Sequence, residues 1–189
     1  TSGDYSLKDN IAYPGTRANV RPGDMKYKDI NDDGIIDDND RTIIGRGTPI
    51  HTGGFTNTFR YRDFDLSVFF QWSYGNDILN ANKYMFERYY MPNSNMFATY
   101  KDRWTPDNPN SNIPRINEGS GSVYSSYAIE DGSYLRLKTV TLGYNIPEKF
   151  ANKLSLSNVR LNVSAQNLLT FTNYSGMDPE VSTRSGALT

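Results

Sequence analysis

Residues 158–171 read NVRLNVSAQNLLTF, the most regular alternation of apolar and polar residues in the chain. The alternation places two sets on opposite sides: Val159, Leu161, Val163 and Ala165 against Arg160, Asn162, Ser164 and Gln166. A period of two is typical of a β-strand with one apolar and one polar face. The stretch therefore predicts a long strand over residues 158–171.

Three more alternating runs lie upstream of this strand. Two of them fill residues 51–74 and are separated only around Arg62-Asp63-Phe64, which predicts an antiparallel hairpin with a short turn. The third run, residues 134–146, is followed by a connector over 147–157 in which Pro147 opens a short helix. Alternation within the third run places four residues on one face: Lys138, Val140, Leu142 and Tyr144. Three apolar residues, Phe69, Leu135 and Leu137, fall on the polar side of their runs, so the register there stays open.

The segment between the second and third strands, residues 75–128, is unusually long and has no alternation. It contains a helix-compatible stretch over 79–90 and a Pro-, Asn- and Ser-rich stretch over 92–114. Connections this long inside a compact domain are uncommon and are usually functional. Short turns on one side of the strands and a long segment on the other are typical of bacterial outer-membrane barrels.

Composition limits the function classes. The chain has 189 residues, 37% of them hydrophobic, and a formal net charge of −1, which argues against a strongly basic nucleic-acid-binding protein. It has no cysteine and only one histidine, His51, so disulfide frameworks, thiolate metal sites and histidine clusters are excluded. No apolar run approaches the ~20 residues of a membrane-spanning helix. Catalytic residues are not predicted.

The predicted fold class is all-β, with antiparallel strands of a partial outer-membrane β-barrel and long extracellular loops. In that fold one set of residues faces lipid: Leu66, Val68, Phe70, Trp72, Val140, Leu142, Tyr144, Val159, Leu161, Val163 and Ala165. Gln71 and the polar side of 160–166 face the lumen. A secreted, calcium-dependent, carbohydrate-binding β-sandwich would show the same alternation, with these apolar residues in its core.

Five stretches, in this order, resemble one family. They are residues 23–37 with Asp40-Arg41 and Ile44-Gly45, residues 64–75, residues 134–144, Asn167-Leu168-Leu169-Thr170, and residues 174–180. Together they resemble the C-terminal part of SusC/RagA-type TonB-dependent outer-membrane transporters. On this resemblance residues 1–189 are expected to be a C-terminal part of such a receptor's β-barrel.

The resemblance implies more than the pattern does. These proteins are 22-stranded barrels with an N-terminal plug. They import glycans, oligosaccharides or peptides across the outer membrane, using energy relayed by the TonB system, and a SusD-like surface lipoprotein captures the substrate. Contact with the TonB system is expected of parts of the protein absent here, while this chain is expected to contribute wall strands in contact with the lipid bilayer and outer loops.

The stretch 29–40 has the spacing of a calcium-binding loop. Its residues match positions 1, 3, 5, 6, 7, 9 and 12 of such loops: Asp29, Asn31, Asp33, Gly34, Ile35, Asp37 and Asp40. Hard cations prefer oxygen ligands, the glycine permits the sharp turn, and position 7 supplies a backbone carbonyl. The pattern predicts a structural calcium ion. The alternative is an acidic Asx-turn loop that binds nothing.

The long segment over 75–128 is rich in aromatic residues. Tyr84, Tyr89, Tyr90, Tyr100 and Trp104 lie close together in sequence. Flat aromatic rings stack on sugar rings or fill the centre of protein interfaces, so these residues are predicted to contact substrate or the SusD-like partner. The alternative is that they stabilise the long segment itself.

Overall fold

The computed structural model describes residues 22–25, 27–34, 36–88, 95–115, 125–157 and 159–180; for Tyr84, Arg88 and Leu154 it describes the backbone only. The strands are β1 (His51–Tyr61), β2 (Phe64–Tyr74), β3 (Asp77–Leu79), β4 (Ile129–Asp131), β5 (Tyr134–Ile146) and β6 (Val159–Thr172). Two short α-helices, α1 (Ala81–Lys83) and α2 (Glu148–Ala151), lie between them. None of the helices in the described part of the chain is long and apolar enough to cross a membrane.

The remaining regular pieces are single turns. Asp38–Asp40, Ala98–Asp102, Ser126–Ala128 and Asn152–Leu154 are 3₁₀ turns, and Tyr84–Arg88 is a π-helical turn that continues α1. The chain divides into two compact units. A loop unit holds Thr1–Gly45 and Leu79–Ile129, and a sheet unit holds Arg46–Ile78 and Glu130–Thr189.

The sheet unit is built on four antiparallel strands in the order β1-β2-β5-β6, while β3 and β4 form a separate two-stranded sheet. The predicted hairpin is confirmed: β1 and β2 pair over their full length, from His51 opposite Tyr74 to Tyr61 opposite Phe64. Only Arg62 and Asp63 connect them, and Arg62 adopts the left-handed conformation (φ 53°) that tight hairpin turns require. The Asp63 carbonyl accepts a hydrogen bond from Asn145 N–H, so the turn is also tied to β5.

A β-bulge at Lys138 resolves the interrupted alternation in β5. Phe69 pairs with Thr139 and Phe70 with Leu137, which leaves Lys138 without an opposite residue on β2. The same place is irregular against β6, where Asn167 has a φ of 52°. One extra residue shifts the alternation by one position, so Leu135 and Leu137 share a face with Val140, Leu142 and the apolar residues of β6. The register that places Lys138 on this face is therefore wrong.

The connector after β5 also follows the predicted plan. Pro147 precedes α2, and Ser155 ends the following 3₁₀ turn with a φ of 58°. The strand predicted over 158–171 is observed as Val159–Thr172. The loop unit has its own small buried set, which includes Ile36, Tyr100 and Ala128.

Candidate functional site: the two sheet faces and the calcium-type loop

The four long strands align their apolar residues on one face, which Asn57 of β1, opposite Val68, interrupts. We call this the apolar face, and it consists of Phe55, Phe59, Tyr61, Phe64, Leu66, Val68, Phe70, Trp72, Leu135, Leu137, Val140, Leu142, Tyr144, Ile146, Val159, Leu161, Val163, Ala165, Leu169 and Phe171. Rows of it run straight across the strands, for example Phe59, Leu66, Leu142 and Val163. The face is open in the described structure, since Val163 is 71% exposed and Phe59 60%.

Aromatic rings mark both ends of the apolar face. At the turn end, Phe64 stacks on Tyr144 with ring centroids 4.4 Å apart, beside Tyr61. At the opposite end Trp72 donates a hydrogen bond from Nε1 to His51 Nδ1 (3.1 Å), and His51 stacks on Tyr74 at 5.1 Å. About ten residue steps of ~3.3 Å separate Phe64 from Tyr74, which corresponds to roughly 25 Å along a membrane normal for a strand tilted by about 40°.

The opposite side, which we call the polar face, carries charges and hydroxyl or amide groups. Near the turn end, Arg160 contacts both carboxylate oxygens of Asp65 at 2.8 Å. The pair lies directly over Gly143, where an added Cβ would stand 2.6 Å from Asp65 Oδ1. Gly143 thus leaves the space that this cross-strand ion pair occupies. Phe69 interrupts the polar face, and its ring lies over Gly54.

A second charge cluster occupies the other end of the polar face. The Arg136 guanidinium donates to Thr170 Oγ1, Glu180 Oε2 and Asp178 Oδ1 at 3.0, 2.8 and 2.5 Å. Lys138 donates to the same Glu180 oxygen at 2.8 Å. Arg136 also lies over the Tyr134 ring, 5.3 Å from its centroid. Sequence analysis missed this cluster, because its acidic and basic members are about forty positions apart and no local spacing links them.

The calcium-type loop has several features of an ion-binding turn. Asp29 Oδ2 accepts the Gly34 N–H at 2.8 Å, and Gly34 has a φ of 81°. Asp40 Oδ1 and Oδ2 accept the N–H groups of Ile30 and Asp37 at 2.7 and 2.8 Å. These two backbone hydrogen bonds, that from Ile30 above all, lower the pKa of Asp40 from its ordinary value. Asp40 at position 12 therefore closes the loop as a carboxylate.

The donor set of this loop fits a hard cation in part. Asp29 Oδ1 is buried without a hydrogen-bond partner, which is costly for a carboxylate oxygen unless a cation satisfies it. Asn31 and Asp33 instead bond each other, from Asn31 Nδ2 to Asp33 Oδ2 at 2.8 Å. No three acidic, histidine or cysteine side chains converge as a metal-holding group within the described residues, and Ile35, the predicted carbonyl ligand, lies outside them.

The predicted aromatic contacts of the long segment fall into two groups. Tyr100 is only 8% exposed and Arg103 lies over its ring, so it packs inside the loop unit. Trp104 lies against Gly23, where φ is 85° and an added Cβ would collide with the indole ring. Tyr89 and Tyr90 lie outside the described residues, as does the side chain of Tyr84. The two rings that are described both pack within the loop unit.

Buried polar contacts complete the loop unit. Arg115 pairs with Asp24 at 2.6 Å and its N–H donates to the Gly23 carbonyl, which ties the segment before the calcium-type loop to the segment after Trp104. Glu87, in the π-helical turn, accepts hydrogen bonds from the hydroxyls of Thr99 and Tyr127 at 2.6 and 3.1 Å. In its described residues, the long segment is therefore held by polar contacts within the loop unit.

Comparison with known proteins gives consistent matches. A TonB-dependent receptor of Formosa agariphila is 44% identical over 164 residues, 87% of this chain and 16% of that protein. A second receptor of the same organism is 37% identical over 94% of the chain, and the TonB-dependent receptor SusC of Bacteroides thetaiotaomicron is 25% identical over 86%. No protein-family model matches the chain.

Solved structures agree with the sequence relatives. The RagAB peptide transporter matches with a TM-score of 0.61 and 29% identity, over 70% of this chain and 14% of that one. The RagAB peptide importer in its closed-closed state gives a TM-score of 0.62 at 28% identity, over 72% and 15%. The chain spans about one sixth of the length of the curated relatives it matches. The chain belongs to the TonB-dependent receptors, as a segment of a SusC/RagA-type protein.

Proposed function

We propose that this chain forms part of the wall of an outer-membrane active transporter that imports glycans, oligosaccharides or peptides together with a SusD-like surface lipoprotein. Its relatives include SusC, and those of known structure are described as a peptide transporter and importer. The activity proposed for the whole protein is transport, with no catalytic step assigned to this chain. In this proposal the TonB system, which relays the energy, contacts other parts of the protein.

The apolar face carries this proposal. Its exposed aliphatic residues are bounded by aromatic rows at a separation of roughly 25 Å, which is the height of the lipid-facing band of outer-membrane barrels. The polar face on the other side of the same strands suits a water-filled lumen. A β-sandwich would cover the apolar face with a second sheet. Within the described residues only one four-stranded sheet is present, and Val163 and Phe59 are open.

The side on which each loop lies follows from the lengths of the connections. The two-residue turn at Arg62-Asp63 has the length of a periplasmic turn, so β2 rises to the outside and ends there at Tyr74. On this assignment the long segment over 75–128 and the calcium-type loop before β1 are expected on the extracellular side. There the long segment is in position to contact the SusD-like lipoprotein or the arriving substrate.

Calcium is proposed as a structural ion of the loop 29–40. Its support is the position-by-position match of oxygen ligands together with the buried, unsatisfied Asp29 Oδ1. The ion would add a charge of +2 among the carboxylates of Asp29, Asp33, Asp37 and Asp40 and so relieve their mutual repulsion. Its role would be to stiffen the outer loops.

Uptake by the complete receptor tests the proposed transport. Cells that carry the receptor and its SusD-like lipoprotein should accumulate a fluorescent oligosaccharide or peptide, and matched cells without TonB should not. The receptor should sediment with the outer membrane in both. Equal uptake with and without TonB, or a receptor found outside the membrane fraction, would contradict the proposal.

A further inference from the structure

After β6 the chain turns back over the polar face as a short strap, residues 173–180. Thr172 Oγ1 donates to the Ser133 carbonyl at 2.9 Å and accepts the Tyr174 N–H. Ser175 is held by Glu130, whose Oε2 accepts its N–H at 2.9 Å. From there the strap extends along β5 until Asp178 and Glu180 meet Arg136 and Lys138.

Burial differs sharply between the two halves of this cluster. The Arg136 side chain is 4% exposed, and three groups use its donors. Asp178, by contrast, is 54% exposed and Glu180 40%. The cation is thus fixed in the wall of the sheet, while its two anions are on a strap that reaches it from the solvent side.

This asymmetry favours exchange of anions over simple release of the strap. A buried guanidinium without a partner is strongly destabilising, because its desolvation is no longer compensated. Replacing one carboxylate by another keeps Arg136 paired throughout. The guanidinium N–H groups can bind an external carboxylate as they bind those of the strap, so the advantage of the strap is its attachment to the chain and not the chemistry of its acids.

The bulge adds the second cation. Lys138 is the bulge residue of β5 and lies on the polar face together with Arg136, whereas strict alternation counted back from Val140 would have turned both side chains to the apolar face. Two cations lie side by side within reach of one oxygen, Glu180 Oε2. One carboxylate can therefore bridge Arg136 and Lys138, while a second carboxylate binds Arg136 alone.

We propose that Arg136 and Lys138 form a carboxylate-binding site on the polar face, whose resident ligands Asp178 and Glu180 exchange with the carboxylates of an acidic substrate. This proposal rests on the proposed transport function and narrows it to substrates that carry carboxylates, such as acidic peptides or uronic-acid glycans. The strap occupies the site when no substrate is present. An arriving acidic group displaces it and is held in the wall of the lumen.

Binding to the purified complete receptor in detergent tests the site without any transport step. The probe is fluorescently labelled tri-glutamate, with labelled tri-glutamine as the neutral control. In the double variant Asp178→Asn/Glu180→Gln the resident anions are gone, so tri-glutamate should bind at least tenfold more tightly than to the wild type. Tri-glutamine should bind neither protein.

Two further variants guard against misfolding and non-specific charge effects. Glu180→Gln alone leaves Asp178 on Arg136 and should give an intermediate affinity. Adding Lys138→Met to the double variant should weaken tri-glutamate binding, whereas Lys149→Met, in the helix α2, should not. Unchanged tri-glutamate affinity in both the single and double variants would show that the cluster is a fixed brace and would overturn the proposal. Loss of uptake with this binding intact would count against the transport function only.

Discussion

The β-bulge at Lys138 decides which side chains of β5 lie on the apolar face and which lie on the polar face. If Lys138 were paired as an ordinary strand residue, with no bulge, Leu135 and Leu137 would fall on the polar face and Arg136 on the apolar one. With it, the alternation shifts, the leucines join the apolar face, and Arg136 lies within reach of Asp178 and Glu180. A bulge depends on pairing with neighbouring strands, so the sequence of β5 alone left this register open.

At the residue scale, removal of one predicted ligand tests the calcium proposal. Asp33→Ala deletes the position-5 carboxylate and should weaken calcium binding to the complete receptor in isothermal titration. The exposed Asp63→Ala, in the hairpin turn, is the matched control and should leave binding unchanged. No heat of binding by the wild type, together with no gain in thermal stability in millimolar calcium, would contradict a calcium site.

The strap should respond to acid through Asp178. The Arg136 guanidinium hydrogen-bonded to Asp178 lowers the pKa of that carboxyl below its ordinary value. A lowered pKa means that this contribution to strap docking is complete above the ordinary aspartate pKa, about 3.9, and is lost as pH falls through the lower, folded-state value. The other charged groups in the cluster with Asp178 are Arg136, Lys138 and Glu180.

A spin label at the fully exposed Met177 measures this release. In Met177→Cys receptor the label should stay restricted from pH 7 to about 4 and become mobile below that. A label at Lys149→Cys should show no such step. Release near pH 6 would mean that the Arg136–Asp178 pair does not control docking.

At the element scale, the four strands could be predicted because their signal is local. Alternation fixed the strands to within a residue or two, and the short gap at Arg62-Asp63 fixed the hairpin. In the order β1-β2-β5-β6, each long strand pairs with the long strand that comes next along the chain. Alternation within β5 did not predict the bulge at Lys138. The bulge is defined by the pairing of β5 with both β2 and β6, and the register shifts against both at this place.

The registered rows allow a depth-dependent test of the apolar face. Asn57, Val68, Val140 and Ala165 form the row midway between the two aromatic ends. Val140→Arg should therefore cost about 2–4 kcal/mol of barrel stability, as for charges at the bilayer midplane. Leu161→Arg, in the row of Phe64 and Tyr144, should cost only ~0–1 kcal/mol because it lies near the interface.

The matched control for Val140 is its neighbour on the polar face. Thr141 pairs with Ser67 and Ser164, so Thr141→Arg points to the lumen and should be tolerated. Chemical unfolding of the receptor in vesicles gives all three values. Equal costs for Val140→Arg and Thr141→Arg would mean that the two faces do not meet different solvents.

At the scale of the whole molecule, sequence reasoning separated the long segment from the sheet but did not predict its inner order. Tyr100 and Trp104 looked like surface contacts because aromatic residues in a polar loop are common in interfaces. Tyr100 is buried, and the half-buried Trp104 packs against Gly23, which is distant in sequence and next to the Asp24–Arg115 ion pair. Such non-local ties leave no periodic pattern in the sequence.

The partner contact is therefore best tested at the three remaining tyrosines. Replacing Tyr84, Tyr89 and Tyr90 by Ser in the complete receptor should weaken co-purification of the SusD-like lipoprotein, or uptake, while leaving the barrel inserted. Lys101→Ala/Asp107→Ala changes exposed polar residues of the same unit and serves as the control. Unchanged capture and uptake in the tyrosine variant would remove the long segment from the interface.

The open sides of the four-stranded sheet have a consequence for anyone who makes this chain alone. In the described structure β1 and β6 each pair on one side only, so each presents a row of free backbone N–H and C=O groups. Such edges recruit strands from other molecules, and the apolar face beside them would add to the attraction. A dimer joined edge to edge still has an unpaired edge at each end, so association can continue beyond two copies. Produced in water, the segment should therefore collect as insoluble aggregates, and only its native neighbours in a closed ring, or detergent, would keep it dispersed.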